Sequence, residues 1–139
     1  MKPSLKESFM KRAFTLLELL IVVVIISILA GIAVPNYMRT TEKAKMRDAE
    51  GKLNLIYQAQ RIYQLDNGIY ATKDQLIPNY IPNPDSNDWT FSDAAATTAT
   101  TFSVAATRQN SGKYDGQTIT VDQTGTLTYS SNYSGGIPN

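Results

Sequence analysis

Residues 14–34 read FTLLELLIVVVIISILAGIAV. As a helix this stretch extends about 30 Å, which matches the apolar core of a bilayer. Glu18 is its only charged residue, and no charge occurs from Leu19 to Met38. A segment this apolar does not suit the surface of a soluble protein. The stretch therefore predicts a helix that enters a membrane.

The residues before this stretch are basic. Residues 1–13 carry four Lys or Arg and one Glu, a net charge of +3, whereas residues 14–139 carry nine basic and eleven acidic residues, a net charge of −2. This asymmetry predicts a cytoplasmic N-terminus, with the rest of the chain across the membrane. A secretory signal peptide with a cleavage site near Ala33 and a plain membrane anchor are the two simplest interpretations.

Glu18 is the residue that these two interpretations leave unexplained. A carboxylate within a membrane helix costs about 3 kcal/mol unless a partner compensates its charge. Near the interface the side chain could instead extend towards the headgroups. Glu18 is therefore expected either to lie at the membrane surface or to have a charged partner.

The sequence KRAFTLLELL at residues 11–20 resembles the leader junction of type IV pilins and of type II secretion pseudopilins. The shared pattern is a short basic leader, a small residue, Phe, Thr, two apolar residues, Glu and a long apolar run. Pro35 lies where that family has a proline in its first helix. The resemblance covers residues 11–68 closely and the rest in outline. One departure is Ala13, because the family usually has Gly there.

The resemblance implies processing by prepilin peptidase, which would cleave between Ala13 and Phe14 and N-methylate Phe14. The new α-amino group would pair with Glu18 of a neighbouring subunit and set the register of assembly. Two buried charges offset each other's desolvation only when they are well paired. Gly31 and Pro35 are the expected helix break, because proline removes a backbone hydrogen bond. The segment between them would lose helicity on assembly.

The helical pattern continues past the apolar stretch. Side chains at three- and four-residue spacing share one helix face: Met46, Ala49, Leu53, Ile56, Gln60 and Tyr63. The helix is predicted to run from about Phe14 to Asp66 and to stop at Asn67-Gly68. Alternating apolar residues then predict strands near residues 89–92, 101–107, 117–122 and 126–129.

The predicted fold class is α+β. A long N-terminal α-helix, half membrane-spanning and half amphipathic, packs on a small antiparallel β-sheet head of three or four strands, as in the pilin fold. The expected segments are a cytoplasmic leader peptide (1–13), a hydrophobic transmembrane and assembly helix (14–38), the amphipathic half of the helix (39–66) and a globular head (67–139). Residues 39–47 are net basic, which fits lipid headgroups, an acidic neighbour or a solvated face.

The composition argues against an enzyme. The chain has no His and no Cys, so it lacks an imidazole base, a thiolate nucleophile and the usual zinc ligands. We predict no catalytic residue, no metal ligand and no cofactor. The alternative is a structural calcium ion on loop carboxylates, although their spacing matches no EF-hand loop. The candidate ligands are Asp85, Asp88, Asp93, Asp115 and Asp122.

We predict a structural prepilin of a bacterial type IV pilus, a homo-polymer or a co-polymer with other pilins. The alternative is a pseudopilin of a type II secretion system, and the second alternative is a membrane-anchored binding module. Nucleic acid is not an expected partner, because the only basic residues of the head are Lys73, Arg108 and Lys113. The expected partners are prepilin peptidase, the pilus or secretion assembly platform and the inner membrane. The chain would cross that membrane once before assembly into an extracellular or periplasmic filament.

Overall fold

The computed structural model describes residues 14–93, 100–131 and 133. The chain forms two compact units, residues 1–37 and 38–139, which are treated separately below. The elements are α1 (Leu16–Asn67), α2 (Lys73–Leu76), β1 (Trp89–Phe91), β2 (Ser103–Arg108), a 3₁₀ turn (Gly112–Tyr114), β3 (Thr118–Asp122) and β4 (Leu127–Tyr129). This order confirms the predicted α+β class with a long N-terminal helix and a small antiparallel sheet.

Helix α1 has 52 residues and ends one residue beyond the predicted position. Gly68 follows it with a φ of 75°, the left-handed conformation that glycine adopts at a helix end. Its N–H donates to the carbonyl of Gln64 at 2.8 Å and so caps the last turn. The helix is continuous through Gly31 and Pro35. The predicted loss of helicity there on assembly stays a prediction.

In the second unit, α1 buries one face against the head. The buried residues of α1 are Glu42, Met46, Ala49, Leu53, Ile56, Ala59 and Gln60. Five of the six residues predicted to share a helix face are among them, and Tyr63 is partly buried against the same core. The spacing identified this face because a helix that packs on a sheet must present its apolar residues on one side.

The four strands form one antiparallel sheet in the order β1-β2-β3-β4. Strands β3 and β4 are joined by a tight turn in which the N–H of Gly125 donates to the carbonyl of Asp122 at 3.0 Å. Gly125 has a φ of 79°, and a Cβ there would lie 3.1 Å from Cζ of Tyr57 on α1. Glycine is required at this position both by the turn and by the close approach of the helix.

The segment after α1 is fixed to the helix by the buried side chain of Gln60. Its Nε2 donates to the carbonyl of Ala71 at 2.7 Å, and its Oε1 accepts from the N–H of Ala71 at 2.8 Å. Next to this pair, the buried ring of Tyr70 packs on Phe102 with centroids 4.8 Å apart.

Two buried charges, Glu42 of α1 and Arg108 of β2, and the buried hydroxyl of Tyr133 form what we call the head anchor. Nε of Arg108 donates to Oε1 of Glu42 at 2.9 Å, and Nη2 donates to Oε2 at 3.2 Å. The Tyr133 hydroxyl donates to Oε1 of Glu42 at 2.5 Å. These hydrogen bonds join α1, β2 and residue 133, which is near the end of the described chain. The Tyr133 ring also stacks on the ring of Tyr114.

The remaining donors of Arg108 are also satisfied. Nη1 donates to Oδ1 and the carbonyl of Asp88 and to the carbonyl of Gln109, at 3.0, 2.8 and 2.7 Å. Burial alone would lower the pKa of Arg108, but the hydrogen bonds and charges of Glu42 and Asp88 outweigh it and raise the pKa. Burial and the hydrogen bond to Glu42 raise the pKa of Tyr133 far above its ordinary value, so its hydroxyl stays protonated and donating.

We expect Arg108→Ala to lower the free energy of unfolding of the head by about 3–5 kcal/mol, because it leaves the Glu42 carboxylate buried without its cation. Urea unfolding of the full chain in detergent can be followed by the fluorescence of Trp89, the single tryptophan, which is fully buried. Arg61→Ala, on the exposed face of α1, is the control and should leave the stability nearly unchanged. A loss below about 1 kcal/mol for Arg108→Ala would contradict a stabilising role for the anchor.

Candidate functional site

The first candidate site is the apolar half of α1. Every large apolar side chain from Phe14 to Met38 is exposed. This part of the helix is long and apolar enough to cross a membrane. Its one serine, Ser27, donates its hydroxyl to the carbonyl of Val23 at 2.7 Å. An internally satisfied hydroxyl of this kind suits an apolar environment, because no water is needed to complete its hydrogen bond.

Glu18 lies in the first turn of α1 and takes part in its N-terminal cap. Its backbone N–H donates to Oγ1 of Thr15 at 3.2 Å, and its Oε2 accepts from the N–H and hydroxyl of Thr15 at 3.5 and 3.4 Å. This is the reciprocal arrangement of a capping box. A carboxylate at this end of a helix is also favoured by the helix dipole. The other oxygen, Oε1, accepts no hydrogen bond from residues 14–93, 100–131 or 133.

The capping box is readable in the sequence as Thr15-x-x-Glu18, although it is not among the predictions above. Of the predicted site residues, Ala13 lies outside the described part of the chain, and Phe14 is exposed directly before α1. Gly31 and Pro35 lie within the helix, with exposed side chains. Among the described residues, the structure brings Glu18 together with Thr15. The roles predicted for Ala13, Phe14, Glu18, Gly31 and Pro35 stay predictions.

Two of the head carboxylates considered above as calcium ligands, Asp85 and Asp122, make other contacts. Asp85 accepts from the backbone N–H of Phe91 and from Nζ of Lys73, at 2.8 and 2.7 Å. Asp122 accepts from Thr124 within the β3–β4 turn. In the part of the chain that the structure describes, no group of three or more His, Cys, Asp or Glu side chains could hold a metal ion.

Three of these carboxyl groups have lowered pKa values. For Asp88 the main cause is the hydrogen bond from Lys45, at 2.7 Å, followed by the charges of Arg108 and Lys45, which together exceed the opposing effect of burial. For Asp85, burial is the largest single influence and raises the pKa. The hydrogen bonds from Lys73 and from the N–H of Phe91, with the charge of Lys73, together lower the pKa by more than burial raises it. Hydrogen bonds from Thr124 lower the pKa of Asp122.

The cations of the head are largely engaged within it. Arg108 is 2% exposed and belongs to the head anchor. Lys73 pairs with Asp85 and also donates to the carbonyl of Phe91 at 2.8 Å. Nζ of Lys113 lies 5.4 Å from the centroid of the Tyr114 ring. Two of the three basic side chains of the head are therefore paired with acids.

Two family models match the chain along its length. Residues 9–34 match the prokaryotic N-terminal methylation motif. Residues 35–128 match a model described as type IV minor pilin ComP, DNA uptake sequence receptor. Because the second match covers more than half of the chain, the chain belongs to the type IV pilin family that this model represents.

Individual relatives are named for a secretion system. The chain is 39% identical over 74 residues to the type II secretion system core protein G of Escherichia coli, an alignment that covers 53% of this chain and 51% of the relative. The core protein G of Vibrio cholerae is 38% identical over 80 residues, 58% of this chain and 55% of the relative. That of Pseudomonas aeruginosa is also 38% identical over 80 residues, with 55% and 56% covered. The chain therefore spans about half the length of the relatives it matches.

We expect the stability of the head to be constant between pH 7 and about pH 5 and to fall below about pH 4. A carboxyl whose pKa is lowered by folding stabilises the fold above its unfolded value of about 3.9, and this contribution is lost as the pH falls through the folded pKa. Urea titrations of the full chain at several pH values, followed by Trp89 fluorescence, measure the trend.

Asp88→Asn is the matched control, because it removes one of the three shifted groups and should make the fall with pH shallower. A head that gained stability below pH 4 would contradict the assigned pKa directions.

Proposed function

We propose that the chain is a pseudopilin of a type II secretion system, a subunit that polymerises through the apolar half of α1. Its relatives named core protein G support this assignment over the pilus subunit that the sequence analysis favoured. The methylation motif supports cleavage after Ala13 and N-methylation of Phe14. Prepilin peptidase and a secretion assembly platform are then the proteins that the subunit would meet.

The observation that carries the proposal is the uncovered apolar helix with one acid at its start. An apolar surface of this length is stable only against lipid or against other apolar helices. Before assembly, residues 14–38 would cross the inner membrane once, with the leader 1–13 in the cytoplasm. In the filament the same residues would pack against the helices of other copies, and the unit that follows would face solvent.

Glu18 would act through its charge. Cleavage before Phe14 creates an α-amino cation, and the free Oε1 of Glu18 can accept a hydrogen bond from such a cation on a neighbouring copy. In apolar surroundings, the attraction between the two charges offsets the cost of removing them from water only when the two groups are in direct contact. A copy displaced along the filament would leave both groups unpaired, so the pair would define the register of assembly.

The description of the family model also raises a DNA receptor as a second candidate. The ion pairs of Arg108 and Lys73 argue against it, because these cations are already neutralised within the head. Retention of the full chain on duplex DNA at several salt concentrations tests it. Salt-sensitive retention would favour this candidate over the pseudopilin, since phosphate contacts weaken steeply with salt.

We expect Glu18→Ala and Glu18→Gln both to leave the chain in the membrane and to reduce filament yield by tenfold or more. A tenfold change corresponds to about 1.4 kcal/mol. Glutamine is the informative substitution, because it keeps the capping box but removes the charge. Thr15→Ala is the matched control, since it removes the cap and keeps the charge. Normal assembly of Glu18→Gln would show that Glu18 acts only as part of the helix cap, and it would contradict the proposed role of its charge in assembly.

Processing provides a separate test at Ala13. We expect Ala13→Gly to be cleaved at least as fast as the native chain, because a small residue before the scissile bond fits the family pattern. Ala13→Leu should accumulate as precursor. Intact-mass measurements on membranes separate precursor from the mature chain that begins at N-methylated Phe14. Equal processing of the two variants would contradict cleavage at this position.

A further inference from the structure

The structure divides the cations of residues 39–47 into those paired with an acid of the second unit and those that are not. Its single acid, Glu42, is buried in the head anchor with Arg108. Lys45 pairs with Asp88 at 2.7 Å, and Arg47 pairs with Glu50 at 2.9 Å. The sequence shows five charged residues that could neutralise one another, but the fold assigns three of them to partners within the second unit.

Arg39 and Lys43 are the two that remain. Both are exposed, and neither makes a hydrogen bond or an ion pair with any of residues 14–93, 100–131 and 133. They are four residues apart on α1, so they lie on the same side of the helix. Because Glu42 is turned into the head, these two cations share that side without an acid to offset them.

Their position along α1 places them at a membrane surface. Arg39 directly follows Met38, the last residue of the uncharged stretch. If residues 16–36 fill an apolar layer of about 30 Å, Arg39 lies about 5 Å beyond it and Lys43 about 10 Å beyond it. Arg39 therefore falls within the headgroup layer, which adds about 5–8 Å on each side of the apolar core. Lys43 begins just beyond this layer, and its long side chain can reach back to the headgroups. The exposed ring of Tyr37 lies at the same boundary, where Tyr is enriched in membrane proteins.

We infer that Arg39 and Lys43 bind the phosphate groups of anionic phospholipids on the outer face of the membrane. The inference rests on the membrane insertion in the proposed function. A guanidinium can donate two parallel hydrogen bonds to one phosphate, and the lysine adds a point charge four residues along. Anionic lipid would therefore collect around this side of the helix and would have to be released when the subunit enters a filament.

The expected effect is a local enrichment of anionic lipid of about fivefold for each cation near the surface. The enrichment should fall when salt screens exposed charges. The leader residues carry cations too, but they precede the apolar stretch and would lie at the opposite face. A probe placed beside Lys43 therefore reports the outer face alone.

The native chain has no cysteine, so Ala44→Cys gives one labelling site on an exposed position beside Lys43. The full chain, labelled there with a fluorophore, is reconstituted in phosphatidylcholine vesicles. Quenching is compared between nitroxide-labelled phosphatidylglycerol and nitroxide-labelled phosphatidylcholine at equal mole fraction. We expect several-fold stronger quenching by phosphatidylglycerol, reduced to near equality by Arg39→Gln with Lys43→Gln.

Arg61→Gln with Lys113→Gln is the matched control, because it removes the same charge at positions farther along the chain. Equal quenching by the two lipids in the native chain, or an equal loss in the control, would overturn the inference. If the Arg39, Lys43 variant reduced filament yield but left quenching by phosphatidylglycerol unchanged, the two cations would bind an acidic protein surface and not lipid. Release of the native chain by alkaline washing would reject the membrane insertion, and so the proposed function itself.

Discussion

The apolar side chains from Phe14 to Met38 must be covered by something outside the described chain. About 25 residues of helix present an apolar surface on every side, and the cost of leaving such a surface in water exceeds the net stability of an ordinary domain. Lipid and the helices of other copies are the two environments that remove this cost. Under the proposed function, α1 exchanges the first of these environments for the second when the subunit assembles.

The head is held to α1 by charge as well as by apolar packing. Glu42 begins the buried face of the helix, and Arg108 and Tyr133 reach it from positions 66 and 91 residues later. A buried ion pair is weak evidence for stability compared with apolar residues of the same size, but removing one partner is costly. The anchor therefore fixes which part of α1 packs on the sheet. It also withdraws the one acid from a basic run and leaves Arg39 and Lys43 exposed.

The family model and the individual relatives are named for different machines. The matching family model describes a minor pilin that is a DNA receptor, whereas the relatives discussed are core proteins of a secretion system. Two of the three basic residues of the head, Arg108 and Lys73, are paired with acids, and this observation counts against the DNA-receptor candidate. The pilus subunit expected from the sequence rested on the leader junction at residues 11–20, which type IV pilins share with pseudopilins and which therefore does not separate the two.

The sequence by itself determined the features that depend on neighbouring residues. The apolar stretch, the helix face from Met46 to Gln60, the stop at Gly68 and the strand pattern follow from local spacing and local backbone preferences, and all of them could be predicted. The Thr15–Glu18 capping box was equally readable and was missed. Only the tertiary structure decided the partners of Glu42, Arg108 and Tyr133, because these residues are distant in the chain and each looks like an exposed polar residue in its own surroundings. Pairing across such distances depends on how helix and sheet pack, which no local pattern of charge specifies.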